Sequence, residues 1–184
     1  MSISLGRTFV SGLVSAGLIA ALSSQVQADS RHGRCKEITG PFSSVTVPVP
    51  PCTSPVGLCT HGILGGPMDN ASYDFTVYST EPSPDDPNTI IASGKSVITT
   101  SRGVMMTNDV SVLHFTGPAP TDPVDFVTTA TIETGTQRYK ATSGQFVAMG
   151  TLSFATGQAS GSYAATLCEG RRPGHGHGHD HDCD

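Results

Sequence analysis

The chain has 184 residues, no tryptophan, few charged residues and a formal net charge of −5 at pH 7. That acidic balance argues against a nucleic-acid partner, whose phosphates reward clustered Lys and Arg. Sparse charge with abundant Ser, Thr and Gly reads as half-buried strands and tight turns, since disordered chains usually carry more charge.

Residues 1–28 carry one basic group, Arg7, then an apolar run from Phe9 to Leu22, then Val26-Gln27-Ala28, the small-x-small pattern that a signal peptidase accepts. A secretory signal cleaved after Ala28 is expected, with an uncleaved anchor as its rival. Ser11, Gly12, Ser15 and Gly17 interrupt the run, which is shorter than the roughly 20 residues a spanning helix needs. The expected location is secreted or periplasmic, with no membrane span. Removing this segment takes away one basic residue and no acid, so the charge moves to −6.

Residues 29–55, with Pro48, Pro50, Pro51 and Pro55, show no sustained period and read as an extended proline-rich lead-in. From about residue 56 to 169 the texture changes to short runs of period two between turn residues, the signature of an all-β domain. A short first strand is expected at Thr60–Gly65. The clearest run follows the turn Asp69-Asn70, with Tyr73, Phe75 and Val77 on one face and Asp74, Thr76 and Tyr78 on the other. A loop from Glu81 to Asn88 leads to a strand at Thr89–Thr100. Ser101-Arg102-Gly103 turns the chain into Val104–Thr107, and Asn108-Asp109 reads as a further turn into Val110–Thr116. Strands follow at Val124–Thr134, at Gln145–Phe154 and, past the tight connection Ala155-Thr156-Gly157, at Gln158–Cys168, where Gly157 can take positive φ.

The count is about eight strands and no helix, and short connections favour an antiparallel up-and-down order. A closed barrel satisfies the edges that an open sheet exposes, and a two-sheet sandwich is the alternative. Gly94, Gly150 and Gly161 inside the strand patterns suit the coiling of a small barrel or mark bulges in a sandwich.

Cys35, Cys52, Cys59, Cys168 and Cys183 lie beyond the leader, and some should pair in an oxidising compartment. Spacing alone leaves several connectivities open. If an even number of strands closes a barrel, the start of the first and the end of the last meet at one rim. With the first strand at Thr60, that predicts Cys59–Cys168, Cys35–Cys52 as the second pair, and Cys183 left over. The long loop would contribute up to about 4–5 kcal/mol in the chain-entropy view.

The stretch Gly135-Thr136-Gln137-Arg138-Tyr139, with Gly144, Ala155-Thr156-Gly157 and a hairpin ending at Cys168, resembles the allene oxide cyclase-like barrel proteins, relatives of dirigent proteins. The likeness is to their secreted bacterial members of unassigned function and runs from about Pro55 to Glu169. Gln137 stands where the family commonly has glycine. The resemblance implies an eight-stranded barrel around an apolar cavity, which in plant relatives shapes a cyclisation or steers radical coupling. The shared motif is structural and carries no catalytic group, and inheriting a fold does not bring its chemistry.

Residues 170–184 form a His-rich tail. His175, His177, His179 and His181 alternate with glycine or aspartate before Cys183, and such a chain can wrap Zn²⁺, Ni²⁺ or Cu²⁺. A solvated end that binds metal incidentally is the plainer alternative; no cofactor is required by the rest of the chain. His61 and His114 could act as acid or base, although an isolated strand histidine is more often structural. Asp74, Asp125 and Glu133 could face a cavity, but their alternation with apolar neighbours puts them more naturally on the solvent face. Tyr73, Phe75, Phe146, Phe154 and Tyr163 are expected to fill the barrel or its outer contacts, with ligand stacking as the other option. Asn70-Ala71-Ser72 fits an N-glycosylation acceptor, relevant only in a eukaryotic source. No Gly-x-Ser-x-Gly elbow and no phosphate-cradling loop before a helix is present. The expected function is binding of a small apolar ligand or a surface partner by an exported barrel, with metal capture by the tail. The alternatives are a cyclase or isomerase acting in the cavity, and metal storage or delivery by the tail.

Overall fold

The structure is a computed structural model that describes residues 34–47, 50–119 and 121–170. Residues 1–28, expected to be a secretory signal, and His175, His177, His179, His181 and Cys183 lie outside these residues. Eight strands follow in chain order: β1 (Cys35–Val47), β2 (Cys59–Leu64), β3 (Ala71–Pro82), β4 (Thr89–Thr100), β5 (Gly103–Phe115), β6 (Val124–Gly135), β7 (Thr142–Ser153) and β8 (Gln158–Glu169). Each pairs antiparallel with its neighbour in sequence, and β1 pairs with β8 to close the barrel. The sandwich alternative is therefore excluded. Among the described residues no helix is long and apolar enough to cross a membrane.

The number of strands agrees with the expectation, but two differences offset each other. The segment read as an extended lead-in contains β1, so the barrel begins at Cys35 and not near residue 56. Its period is weak because Gly40, Ser44 and Thr46 share the inward-facing positions with Ile38 and Phe42. Pro41 also looks like a strand breaker, since it lacks an amide hydrogen. It is tolerated because the β1–β2 ladder starts one residue later, at Phe42 opposite Leu64, where Pro41 needs only to accept from the Gly65 amide at 2.8 Å.

The second difference is that Asn108-Asp109 is not a turn: β5 runs unbroken from Gly103 to Phe115, with Asn108 opposite Lys95 and Asp109 opposite Gly94. The two short strands expected at Val104–Thr107 and Val110–Thr116 are one. β7 stops at Ser153, and Phe154 is exposed in the following turn, its ring stacked on Phe115 with centroids 5.9 Å apart.

The predicted cystine pairs are corrected while all four cysteines remain paired: the bridges are Cys35–Cys168 and Cys52–Cys59. The reasoning that the first and last strands meet at one rim holds. The first strand is β1, so Cys35 takes the place assigned to Cys59 and lies directly opposite Cys168 in the β1–β8 register. Cys59 opens β2 and is bridged to Cys52 in the preceding loop.

Two local conformations follow from the sequence. Asp69 and Asn70 both have φ of 55°, the left-handed conformation that Asn and Asp accept most readily after glycine, and they form the expected turn into β3. Gln137, at the position where the resembled family commonly has glycine, has φ of 49°. Within the wall, Gly150 and Gly161 are paired across β7 and β8, and a Cβ on either would lie 2.1 Å or less from a carbonyl oxygen of the facing strand. No larger residue fits where these strands approach so closely.

The interior is layered. One apolar cluster, including Phe42, Met68, Ile98, Met105, Phe146 and Tyr163, fills the end where β1 begins. A smaller one, built on Val77, Ala92, Leu113, Val124 and Leu152, fills the other. Burying these side chains at about 25 cal/mol per Å² of apolar surface is the main force closing the sheet.

Candidate functional site

Between the two clusters lies a cavity of about 120 Å³. A water molecule needs roughly 10–15 Å³ measured this way, so the space suits several waters or a small organic molecule. Tyr73 and Phe75 of β3, Phe126 of β6, and Phe146, Ala148 and Leu152 of β7 present an apolar lining. Strand alternation aims each of them inward. The loop from Pro50 to Leu58, tied back by Cys52–Cys59, brings Leu58 to the same space. The amide of Val77 donates to the Leu58 carbonyl at 3.1 Å and fixes that approach.

One side of the cavity is polar. The inward residues of β5 run Met105, Thr107, Asp109, Ser111, Leu113, so an apolar residue at each end brackets three polar ones. Asp109 is 3% exposed. Thr107 Oγ1 donates to its Oδ1 at 2.5 Å and Ser96 Oγ donates to its Oδ2. Across the β5–β6 seam, Ser111 and Thr128 share a hydrogen bond of 2.7 Å between their hydroxyls. Burial pushes the Asp109 carboxyl above the usual carboxylate range, against the opposing pull of the Ser96 and Thr107 hydroxyls. Tyr73, with Ser44 as hydrogen-bond partner, and Tyr163, which donates to the Gly65 carbonyl at 2.7 Å, are both raised by burial and stay neutral phenols.

The acids and histidines singled out by sequence point elsewhere. His61 and Asp74 form an exposed pair on the outer face of β2 and β3, Nδ1 to Oδ1 2.7 Å. Glu133 pairs with Lys95 at 2.8 Å on the outside of β4 and β6. His114 meets Asp86 at 3.1 Å at a rim, and Asp125 is exposed. These positions take the solvent-facing assignment, and none of them lines the cavity. Four of the five aromatic candidates face inward: Tyr73, Phe75, Phe146 and Tyr163 line the cavity, and Phe154 does not. Asp109 escaped the sequence reading because Asn-Asp is so common a turn pair. The detectable signal was the alternation Met105, Thr107, Asp109, Ser111, Leu113, which continues in period two straight through it.

Among the described residues no group of three or more His, Cys, Asp or Glu side chains is placed to hold a metal ion. Comparison with family models, with curated proteins and with solved structures finds no match.

Proposed function

We propose that this chain is an exported barrel that binds a small apolar molecule inside the sheet. The cavity between the two apolar clusters carries the reading: it is lined mostly by aromatic and aliphatic side chains and carries few polar groups, the usual make-up of a small-molecule site. Two disulfides and the leader-like residues 1–28 support export to an oxidising compartment, secreted or periplasmic. The resemblance to the allene oxide cyclase-like barrels supports the same picture of a barrel with an apolar interior. The tail from His175 to Cys183 would add Zn²⁺, Ni²⁺ or Cu²⁺ capture of modest selectivity. A cyclase or isomerase in the same cavity is the second reading. It is favoured by the placement of Asp109, the one carboxyl group in the lining among the described residues.

Titration with benzene, followed by NMR of the methyl groups of Ala92, Ala130 and Ala148, tests the binding reading. Saturable shifts confined to these inward methyls are expected, and Ala148→Leu, which fills the space, should abolish them. Shifts only at the outer Val127 and Met149, or none at all, would refute it.

A further inference from the structure

We propose that the molecule bound in the cavity carries a single protonated amine on an apolar body, and that the Asp109 carboxylate is its counter-ion. The inference rests on the apolar-ligand reading and adds the chemistry of the ligand's head.

Asp109 is almost fully enclosed, and its partners Ser96 and Thr107 are neutral hydroxyls, one on each oxygen. An ionised carboxylate offers about four acceptor positions, so two such donors leave capacity unused. Among the described residues no Lys, Arg or His lines the cavity. The nearest cation along β4, Lys95, points outward to Glu133. From β4, Gly94 faces Asp109 with no side chain, and from β6 Ala130 faces it with only a methyl group, so small residues flank the carboxylate. The other titratable groups in the lining are the phenols of Tyr73 and Tyr163, both neutral.

A buried carboxylate without a cation is expensive, and the desolvation has already been incurred when the chain folds. An entering ammonium therefore bears only its own desolvation and gains a charge-assisted hydrogen bond in a medium of low dielectric. Ser111 and Thr128, which share a hydrogen bond across the β5–β6 seam, add hydroxyl oxygens that accept from the remaining ammonium hydrogens. The aromatic side takes the apolar body. The protein's net charge of −5 also favours a cation over an anion.

Calorimetric titration of the full-length protein with hexylamine, hexan-1-ol and hexanoate separates head from body, since the three share one chain. At neutral pH hexylamine should bind about tenfold or more tighter than hexan-1-ol, with hexanoate weakest. In Asp109→Asn the amine should fall to the alcohol's affinity, while the alcohol changes by less than about threefold. As pH is lowered and Asp109 takes up its proton, affinity for the amine should fade and affinity for the alcohol should not. Equal affinity for amine and alcohol in the unmodified protein overturns the counter-ion and leaves the apolar-ligand reading standing. Binding of neither overturns both. Should Asp109→Asn fail to fold, the amine-to-alcohol ratio and its pH profile in the unmodified protein decide between the same outcomes.

Discussion

On β7 and β8 the inward side chains include Phe146, Ala148, Leu152, Tyr163 and Ala165, and β8 turns Ser160, Ser162 and Thr166 to the outside. On β5 the order is reversed, with Thr107, Asp109 and Ser111 inside while Met106, Val110 and Val112 stand outside, 44–48% exposed. The exposed aliphatics continue from β5 over β6 to the outer face of β7, where Val112, Val127 and Met149 lie side by side in one register. A wall built by the usual rule is there for stability. A wall that hides hydroxyls and a carboxylate while showing aliphatics to water departs from that rule, and such departures concentrate at functional sites.

Three substitutions would break or sharpen this contrast. The largest effect is expected from Phe146→Ala on the conventional wall, where a ring packed against Tyr163 at 6.3 Å between centroids is lost. A cost of about 3–5 kcal/mol in denaturant unfolding is expected; a loss under about 1 kcal/mol would show that this wall does not hold the core.

Asp109→Asn on the reversed wall should act in the other direction. Burial holds the folded-state pKa of Asp109 above its unfolded value. The ionised group therefore destabilises the fold at pH values above the folded pKa, and the penalty is relieved as pH falls through it. The Asn variant, whose Oδ1 accepts from one of the two hydroxyls while its amide N–H donates to the oxygen of the other, should be more stable than the parent at neutral pH by on the order of 1 kcal/mol. Thermal melts from neutral to mildly acidic pH should show that advantage shrinking. An advantage that grows toward acid would mean the carboxylate is stabilised, not strained, by its surroundings.

The smallest effect belongs to Val112→Thr on the outer face, which should change stability by no more than about 0.5 kcal/mol. A loss comparable to Phe146→Ala would mean that the outer aliphatics are packed in solution, contrary to their exposure.

Sequence alternation was enough to read the conventional wall, because one apolar face and one polar face mark both the strand and its orientation. The same rule failed on β5, where Met106, Val110 and Val112 face outward and Asn108-Asp109 imitates a turn. It also failed on β1, where Gly40 and Pro41 interrupt a strand whose inward positions hold Ser44 and Thr46 beside only two apolar side chains, Ile38 and Phe42. Both misreadings come from inferring position from polarity, which is reliable only where polar groups face water. The cavity acid sat inside one of those misread segments. The histidines drew attention because imidazole is conspicuous in a sequence, but pairing with Asp74 and Asp86 keeps His61 and His114 on the surface.

The bridge between Cys35 and Cys168 joins residues that face each other across the closing seam. It turns the chain from 35 to 168 into a covalent circle that coincides with the hydrogen-bonded one. Such a circle can be opened anywhere without releasing a fragment. A single proteolytic nick in the loop of residues 83–88 would leave two pieces still joined by sulfur and by both of their shared seams. Circular permutation that joins the two ends through a short linker and begins the chain in that loop should preserve the barrel and its contents.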